Sequence, residues 1–518
     1  MRLQPVRADR LPPPAEAARA AGAELARTLE GRVSFEEQDR LSYSRDVWPK
    51  ALLWIRQGKI PPPPDAVVWP KDEDEVSHVI RTARAHRLAV IPFGAGSGVC
   101  GGVVALKGGI ALDLKKLERV DPVDRTRRTV FAQAGIIGEV LERKLNAEGY
   151  TLGHFPSSIY MSTLGGWLAA RSAGQFSSLY GKIEDMALSV RAVLGTGERV
   201  VTPERPRRGP DLAQLLIGSE GTLCAFTGAT LRVQPVPEHR AFRGIRFHSV
   251  GDGLEAIRRI FRSGLRPSVV RLYDPFDTAL VGKSGGHHKE RTPPSLRSSL
   301  RSELLPALAR KLTPSTLGRP SLLNRAAHLF NDCRLILAFE GEKRRTVREE
   351  DAARAICLRG GGEDEGVQPG LDWYRERYSV SYKMSPMLDS GAFADTMEVA
   401  ATWDRVLDVY DRVRAAVSPL AFALCHFSHA YPEGCSLYFS FAASAAGDEA
   451  QEQRYDELWR VGLAAALSAG ATVSHHHGVG LLKSAQLQQE LGEGRRMLQS
   501  LKRAFDPDGI MNPGKLGL

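Results

Sequence analysis

Hydrophobic and polar positions recur along this chain in two rhythms, and clear punctuation separates them. The segment AEAARAAGAELARTLEG, Ala15 to Gly31, repeats its apolar residues at helical spacing and ends on a glycine suited to a helix C-terminus. Four consecutive prolines, Pro61 to Pro64, follow soon after. They can neither continue a helix nor pair centrally in a sheet. This predicts a helical lead-in over residues 1–58.

Beyond the prolines the texture becomes mixed. AVVWP and RLAVIPF read as strands, and DEDEVSHVIRTARAHR between them reads as an amphipathic helix with an acidic first turn. GIALDL and TRRTVFAQAG are further strands, IGEVLERKLNAEGY is a helix, and GTLCAFTGATLRVQP closes the region with strand texture. AFRGIRFHSVGDGLEAIRRIFRSG opens the next region with a strand and a helix. From about residue 441 the pattern is helical up to a histidine-rich turn at 474–480, and two more helical stretches precede FDPDGIMNPGKLGL. The expected units are 1–58, 59–240, 241–440, and a C-terminal segment 441–518 that returns to the second unit.

Composition narrows the class. With 518 residues, 43% hydrophobic and 25% charged, the chain suits a multidomain globular enzyme. Lys plus Arg is 70 against 60 for Asp plus Glu, a modest excess of +10. It fits an anionic substrate or cofactor, a membrane surface or simply a solvated exterior, and no nucleic-acid motif accompanies it. The stretch 283–325 is strongly basic, with Lys283, Lys289, Arg291, Arg297, Arg301, Arg310, Lys311, Arg319 and Arg325 against Glu290 and Glu303. It reads as a solvated surface or as a contact with anionic lipid. The six cysteines are scattered, without CxxC pairs, which predicts free thiols in a reducing compartment. No apolar run of spanning length and no secretory h-region occur, so a cytoplasmic location is expected, with peripheral membrane contact as its extension.

The first candidate chemistry is the loop Pro92-Phe93-Gly94-Ala95-Gly96-Ser97-Gly98, directly after a strand. Small residues let backbone amides approach a pyrophosphate closely. It is neither a Rossmann fingerprint, since no helix follows, nor a Walker loop, since no Gly-Lys-Ser/Thr follows. Further clusters of small polar residues lie beside predicted strands. They are Gly153-His154-Phe155-Pro156-Ser157-Ser158, Ser162-Thr163-Leu164-Gly165-Gly166, Ala170-Arg171-Ser172-Ala173-Gly174 and Gly218-Ser219-Glu220-Gly221-Thr222-Leu223.

This series resembles the FAD-binding domain of the vanillyl-alcohol oxidase and para-cresol methylhydroxylase superfamily. The resemblance implies an α+β, two-domain FAD-binding PCMH-type fold with an antiparallel-sheet cap. It also implies cofactor contacts at residues 92–98, at Ser157, Ser158, Ile159, Tyr160, Met161, Ser162 and Thr163, at Ala170, Arg171, Ser172 and Ala173, and at Glu220, Gly221, Thr222, Leu223, Cys224, Ala225 and Phe226. The closing NPGK, Asn512 to Lys515, belongs to the same pattern. Cys100 and His154 are the local candidates for a covalent flavin link, but FAD is expected to be non-covalent, as in the subfamily named next.

Motifs outside that domain resemble the alkyldihydroxyacetonephosphate synthase family. They include Arg271-Leu272-Tyr273-Asp274, Trp403-Asp404-Arg405-Val406, Gly434-Cys435-Ser436-Leu437-Tyr438-Phe439 and His475-His476-His477-Gly478-Val479-Gly480. The resemblance implies exchange of the acyl group of acyl-dihydroxyacetone phosphate for a fatty alcohol, with no net redox change. A proton must leave the substrate carbon and later return, which calls for a base of near-neutral pKa. Tyr438 resembles the family's acid/base tyrosine, and His475, His476 and His477 offer the base and its orienting partners. Read without the resemblance, Tyr438 is a strand aromatic packed in a core, and the three histidines are a chance metal-binding run or a surface feature. No metal is expected. The implied partners are small-molecule lipid substrates and a second copy of the chain.

The alternative is an FAD-linked oxidase or dehydrogenase of a 2-hydroxy acid or alcohol. Such relatives carry a His-x-Gly-Asp-Gly-Asn-x-His metal motif, and the corresponding region here reads CHFSHAYPEGCSLYF. The family's phosphate-binding arginine falls on Met384, so Lys383 beside it becomes the expected phosphate contact, as a point charge lacking Arg's fork.

Overall fold

The computed structural model describes residues 3–204, 209–284, 317–326, 332–378 and 391–518. The chain divides into two compact units, 1–236 with 474–518, and 237–473.

The first unit contains two four-stranded sheets. In one, β1 (Val33–Ser34), β2 (Ala66–Val68), β3 (Val90–Phe93) and β4 (Ile110–Asp113) lie in the order β1-β2-β4-β3. Both pairs to β4 are parallel. Parallel pairing needs crossover connections, and helix Glu73–Ala85 supplies one between β2 and β3. Its acidic first turn is capped by Asp72, which accepts from the Glu75 amide at 2.9 Å, while Val76, Val79, Ile80 and Ala83 are buried. The other sheet is antiparallel, with β5 (Thr129–Gln133), β6 (Ala187–Leu194), β7 (Arg199–Val201) and β8 (Cys224–Arg232) in the order β7-β6-β8-β5.

The expected lead-in, 1–58, is not a separate piece. Ala18, Ala21, Leu25 and Leu29 belong to the same buried cluster as Val68, Val90, Ile110 and Leu112. Val6–Arg7 pairs with Lys59–Ile60, and the buried Arg40 guanidinium donates to the carbonyls of Pro64 at 2.9 Å and Pro12 at 2.7 Å. The proline run therefore lies inside the unit, with its carbonyl used as an acceptor.

The second unit is built on a seven-stranded antiparallel sheet. Its strands are β9 (His239–Phe247), β10 (Val269–Tyr273), β11 (Cys333–Gly341), β12 (Glu363–Gly366), β13 (Phe393–Thr402), β14 (Phe422–Ser428) and β15 (Gly434–Ala443), in the order β12-β9-β11-β10-β14-β15-β13. Helices Val406–Val417 and Asp448–Ser468 pack on each other and on its β13 end. The boundary expected at 440 falls instead at 473/474. The reason is visible at Asp395, whose buried carboxylate accepts from Tyr455 Oη at 2.6 Å and Trp459 Nε1 at 3.0 Å, tying the long helix to β13. All six cysteines are buried thiols outside any disulfide. No helix among the described residues is long and apolar enough to cross a membrane.

Candidate active site

In the first unit, the glycine loop leaves β3 with the carbonyls of Gly94 and Gly98 engaged and its amides without an acceptor among the described residues. Lys115 Nζ donates to the Gly94 carbonyl at 3.1 Å, and the Val47 amide donates to the Gly98 carbonyl at 2.8 Å. Buried Asp46 accepts from the Gly102 amide at 3.0 Å. Burial pushes its carboxyl up to about 6, so it remains mostly ionised at neutral pH. The amides of Gly94, Ala95, Gly96, Ser97 and Gly98 donate to no protein acceptor among the described residues. Consecutive unspent amides are what an anion-binding nest requires. Gly96 has φ +65°, and a Cβ there would lie 2.9 Å from the Phe93 ring. A Cβ on Gly94 would lie 2.5 Å from Thr163 Oγ1. The loop and the Ser162-Thr163 segment are thus neighbours.

Thr163 caps helix Leu164–Ala170, its Oγ1 accepting from the Gly166 amide at 3.2 Å. Ser162 Oγ donates to the Ser158 carbonyl and accepts from Trp167 Nε1, both at 2.8 Å. Ile159 is buried within a short 3-10 turn, Ile159–Met161, while Tyr160 and Met161 are exposed. Ser157 Oγ accepts from Gln175 Nε2 at 3.2 Å. Arg171 ends the helix in the left-handed region, and its guanidinium is held by Gln214 at 2.9 and 3.0 Å. Ala173 is buried. Close by in sequence, His154 is buried and both its ring nitrogens lack a hydrogen-bond partner among the described residues. Its ring lies 4.5 Å from that of Trp167, and burial pushes its pKa down to about 3. A neutral imidazole with two unspent nitrogens suits a heterocycle edge carrying both donors and acceptors.

Glu220 is the hub of the site. Its backbone is left-handed, with φ 49°. Its carboxylate accepts from the amides of Val479 at 2.5 Å and Gly480 at 2.7 Å, and its carbonyl accepts from Asn512 Nδ2 at 2.6 Å. Asn512 Nδ2 also reaches the Gly102 carbonyl at 2.9 Å. One glutamate thereby links the GSEGT segment, the glycine loop, the histidine turn and NPGK. A Cβ on Gly221 would lie 3.1 Å from Pro92. Thr222 Oγ1 donates to the Ser219 carbonyl at 2.7 Å, Leu223 is buried, and Cys224, Ala225 and Phe226 form the buried start of β8. Buried Lys515 donates to the Val104 carbonyl.

The histidine turn hangs from that hub. Ser474 Oγ donates to the Gly478 carbonyl at 3.0 Å, and Gly478 and Gly480 have φ +78° and +54°. Adjacent side chains diverge on a helix or strand, but this is neither. His475 Nδ1 lies 3.0 Å from His476 Nδ1, and the rings of His475, His476 and His477 follow edge to face at 5.2 and 4.6 Å. Glu220→Ala is expected to loosen this turn by leaving two amides without their acceptor, at about 1–3 kcal/mol each. Denaturant unfolding of the variant checks the loss, with unchanged stability counting against the hub.

In the second unit, alternate residues of β15 face opposite sides. Phe439 and Phe441 meet Tyr410 and Trp459 of the packed helices. Tyr438 lies on the opposite face. Registered neighbours place Arg334, Tyr273, His426, Tyr438 and Glu398 in one row across five strands. The ring of His426 stacks on Tyr438 at 4.7 Å and 19°. Burial raises the Tyr438 pKa, while a Thr396 hydrogen bond and the charge of Arg271 pull the other way. Sequence reasoning singled out Tyr438 and missed His426, together with Asp277, which contacts it. Lys383 and Met384 lie outside the described residues.

Comparison with known proteins decides the family. Residues 64–203 match the model described as "FAD binding domain", and 236–516 match "FAD linked oxidases, C-terminal domain". An alkyldihydroxyacetonephosphate synthase of Trypanosoma brucei brucei is 30% identical over 91% of this chain and 75% of its own length. The chain belongs to the alkyldihydroxyacetonephosphate synthase family of FAD-linked enzymes. A member from Caenorhabditis elegans is 28% identical, over 94% of this chain and 82% of its own. A solved alkyldihydroxyacetonephosphate synthase superimposes with TM-score 0.76 at 26% identity, over 99% of this chain and 88% of its own. The fold is therefore the two-domain FAD-binding PCMH-type fold with an antiparallel cap, and the cofactor is FAD. For such a member, the amides of Gly94 to Gly98 would hold the pyrophosphate, and the segments around Thr163, His154 and Glu220 the rest of the dinucleotide. Cys100 Sγ is turned to the Gly478 carbonyl at 3.5 Å, and the neutral His154 ring is packed on Trp167. Acid precipitation is expected to leave the yellow flavin in the supernatant, as non-covalent binding requires. Flavin in the protein pellet would assign a covalent link to one of these two residues.

Proposed function

We propose that this protein exchanges the acyl chain of acyl-dihydroxyacetone phosphate for a fatty alcohol, making an ether-lipid precursor. The observation that carries the reading is the row centred on Tyr438, where a phenol sits on a hydrogen-bonded imidazole with a guanidinium nearby. A phenol so placed can take up and return a proton.

FAD, held by the amides of Gly94 to Gly98 and the segments around Thr163, His154 and Glu220, would supply the electron-accepting ring system that the exchange requires. The protein's residues manage the protons. One leaves the substrate carbon and returns to it, the fatty acid departs as a carboxylate, and the incoming alcohol gives up its hydroxyl proton. Carbon ends at its starting oxidation level, so no electron acceptor is consumed. Tyr438 serves as acid/base. The histidines at 475–477, fixed through Glu220, supply a second proton-handling group and its orienting partners. Lys383 is assigned to the substrate phosphate, and the peripheral lipid contact to the basic stretch 283–325, most of which lies outside the described residues.

The test pairs two assays on the purified, FAD-loaded protein. Labelled hexadecanol is offered with acyl-dihydroxyacetone phosphate, and a hydroxy acid is offered with an artificial electron acceptor. Transfer of label without acceptor reduction is expected. Acceptor reduction without transfer would replace this reading by hydride removal from a hydroxy acid.

A further inference from the structure

Behind Tyr438 lies a group of charged and titratable side chains to which the proposed reaction assigns no task. His426 faces Tyr438 directly across the β14–β15 pair. It is almost fully buried, at 6% exposure, and is held at both nitrogens. Arg271 Nη2 lies 2.8 Å from Nε2 and 3.3 Å from Nδ1, and the shorter contact is the hydrogen bond. Asp277 Oδ2 lies 3.2 Å from Nδ1. A guanidinium can only donate, so Nε2 must accept. The ring proton therefore sits on Nδ1 and is given to the Asp277 carboxylate. Two neighbours of opposite chemistry leave one tautomer.

The partners are themselves fixed. Asp277 lies in the first turn of helix Pro275–Ser284, and its amide donates to Asp274 Oδ1 at 2.9 Å. The other oxygen of Asp274 accepts from the Cys425 amide at 2.9 Å, Arg414 Nη1 at 3.1 Å and Tyr410 Oη at 3.2 Å. Asp274 thus joins the start of that helix to β14 one residue from His426. Arg271 comes from β10, two residues from Tyr273, whose ring meets His426 edge-on at 5.9 Å. On the far side of Tyr438, β13 contributes Asp395, Thr396 and Glu398.

We propose that His426 is a positioning residue for Tyr438: Arg271 and Asp277 hold it as the neutral Nδ1–H tautomer, and the held ring fixes the plane of the Tyr438 phenol. This rests on the assignment of Tyr438 as acid/base. A phenylalanine at 426 would offer the same area but could slide and turn, whereas a ring bonded at both edges cannot. Neutrality matters too. Arg271 and Asp277 carry opposite charges, and an uncharged imidazole adds no third charge beside a phenol that changes protonation. Burial and Arg271 both push the His426 pKa well below its ordinary value, while burial raises Asp277 to about 6, leaving it mostly ionised at neutral pH.

Two measurements on the full-length, FAD-loaded protein test the proposal. In the first, histidine labelled with carbon-13 and nitrogen-15 is followed by NMR, with the His426 signals assigned by their loss in His426→Gln. The Nδ1–H tautomer is expected, unchanged between pH 5.5 and 8.5, and Arg271→Met is expected to make the ring titrate within that window. An imidazolium or an Nε2–H tautomer at pH 7 in the unmodified protein overturns the proposal. In the second, hexadecanol transfer is measured for His426→Phe. A displacement of about 1 Å costs about a hundredfold in rate. The expected result is kcat lower by about ten- to a hundredfold, KM within about twofold and full FAD content. His426→Gln, which can accept from Arg271 and donate to Asp277, should recover part of that loss. In a Tyr438→Phe background the same change should add little, because it acts through the hydroxyl already removed. If Tyr438→Phe is inactive while His426→Phe keeps normal kcat, the positioning role fails alone. If Tyr438→Phe is fully active, the acid/base reading fails, and this inference with it.

Discussion

Tyr438→Phe is expected to retain FAD and lose about 10²–10⁴ in turnover, the usual cost of removing a general acid or base. The substitution removes one oxygen and keeps the ring. The stack on His426 and the strand pairings to β13 and β14 do not involve that oxygen. Stability and flavin content should therefore stay near normal while label transfer falls. The hydroxyl sits where its proton can be managed: Thr396 bonds to it, and the charge of Arg271 opposes the rise in pKa that burial imposes. His476→Ala should also keep the flavin and lose turnover, since its ring lies between those of His475 and His477. Hexadecanol transfer, measured beside the flavin absorbance of each variant, checks both. A Tyr438→Phe enzyme with near-normal rate would make Tyr438 a packing residue.

The parts of this site that sequence made legible are those carried by short contiguous signals. The glycine loop follows a strand and precedes no helix, and both features stand in the structure. Strand and helix periods around β2 to β4 were readable because each element buries one face. Unit boundaries were less so. The prolines make the lead-in read as separate, yet Leu25 and Leu29 are buried with Val90 and Leu112. Composition cannot show that a chain folds back on itself. The helix from Asp448 to Ser468 likewise joined the second unit through Tyr455 and Trp459 on Asp395, a tertiary contact with no local signature.

His426 is the instructive omission. CHFSHAYPEGCSLYF contains two strand-like halves around HAYPE. Read as a hairpin, it pairs position 426 with 438 and puts both on one face. That much was available from alternation. The roles of Arg271 and Asp277 were not, since they arrive from a strand and a helix about 150 residues earlier. Glu220 shows the reverse case. Its segment signalled the cofactor, whereas its carboxylate is directed at the amides of the histidine turn. Sequence offers it as a cofactor contact and carries no sign of its bonds to the histidine turn.

Gly96→Val should abolish FAD binding, and it does so by two separate routes. Gly96 has φ +65°, a backbone conformation that a β-branched residue adopts only under strain. Relaxing that strain would turn the peptide planes of the loop, and with them the amides from Gly94 to Gly98 that have no acceptor among the described residues. The side chain also has no room. A Cβ would already lie 2.9 Å from the Phe93 ring, which packs on Tyr43 at 4.7 Å and so cannot easily withdraw. Two further methyls must then occupy the concave side, where a pyrophosphate would lie. Because the loop carbonyls are tied to Lys115 and Val47, its ends cannot move away to compensate. The expected product is a folded, colourless protein, measured by flavin content after purification and by titration with FAD. Gly102→Ala is the control, since a Cβ there meets nothing within 4 Å and it should bind FAD normally. A yellow, fully loaded Gly96→Val protein would move the phosphate site away from this loop, leaving its five free amides without a ligand.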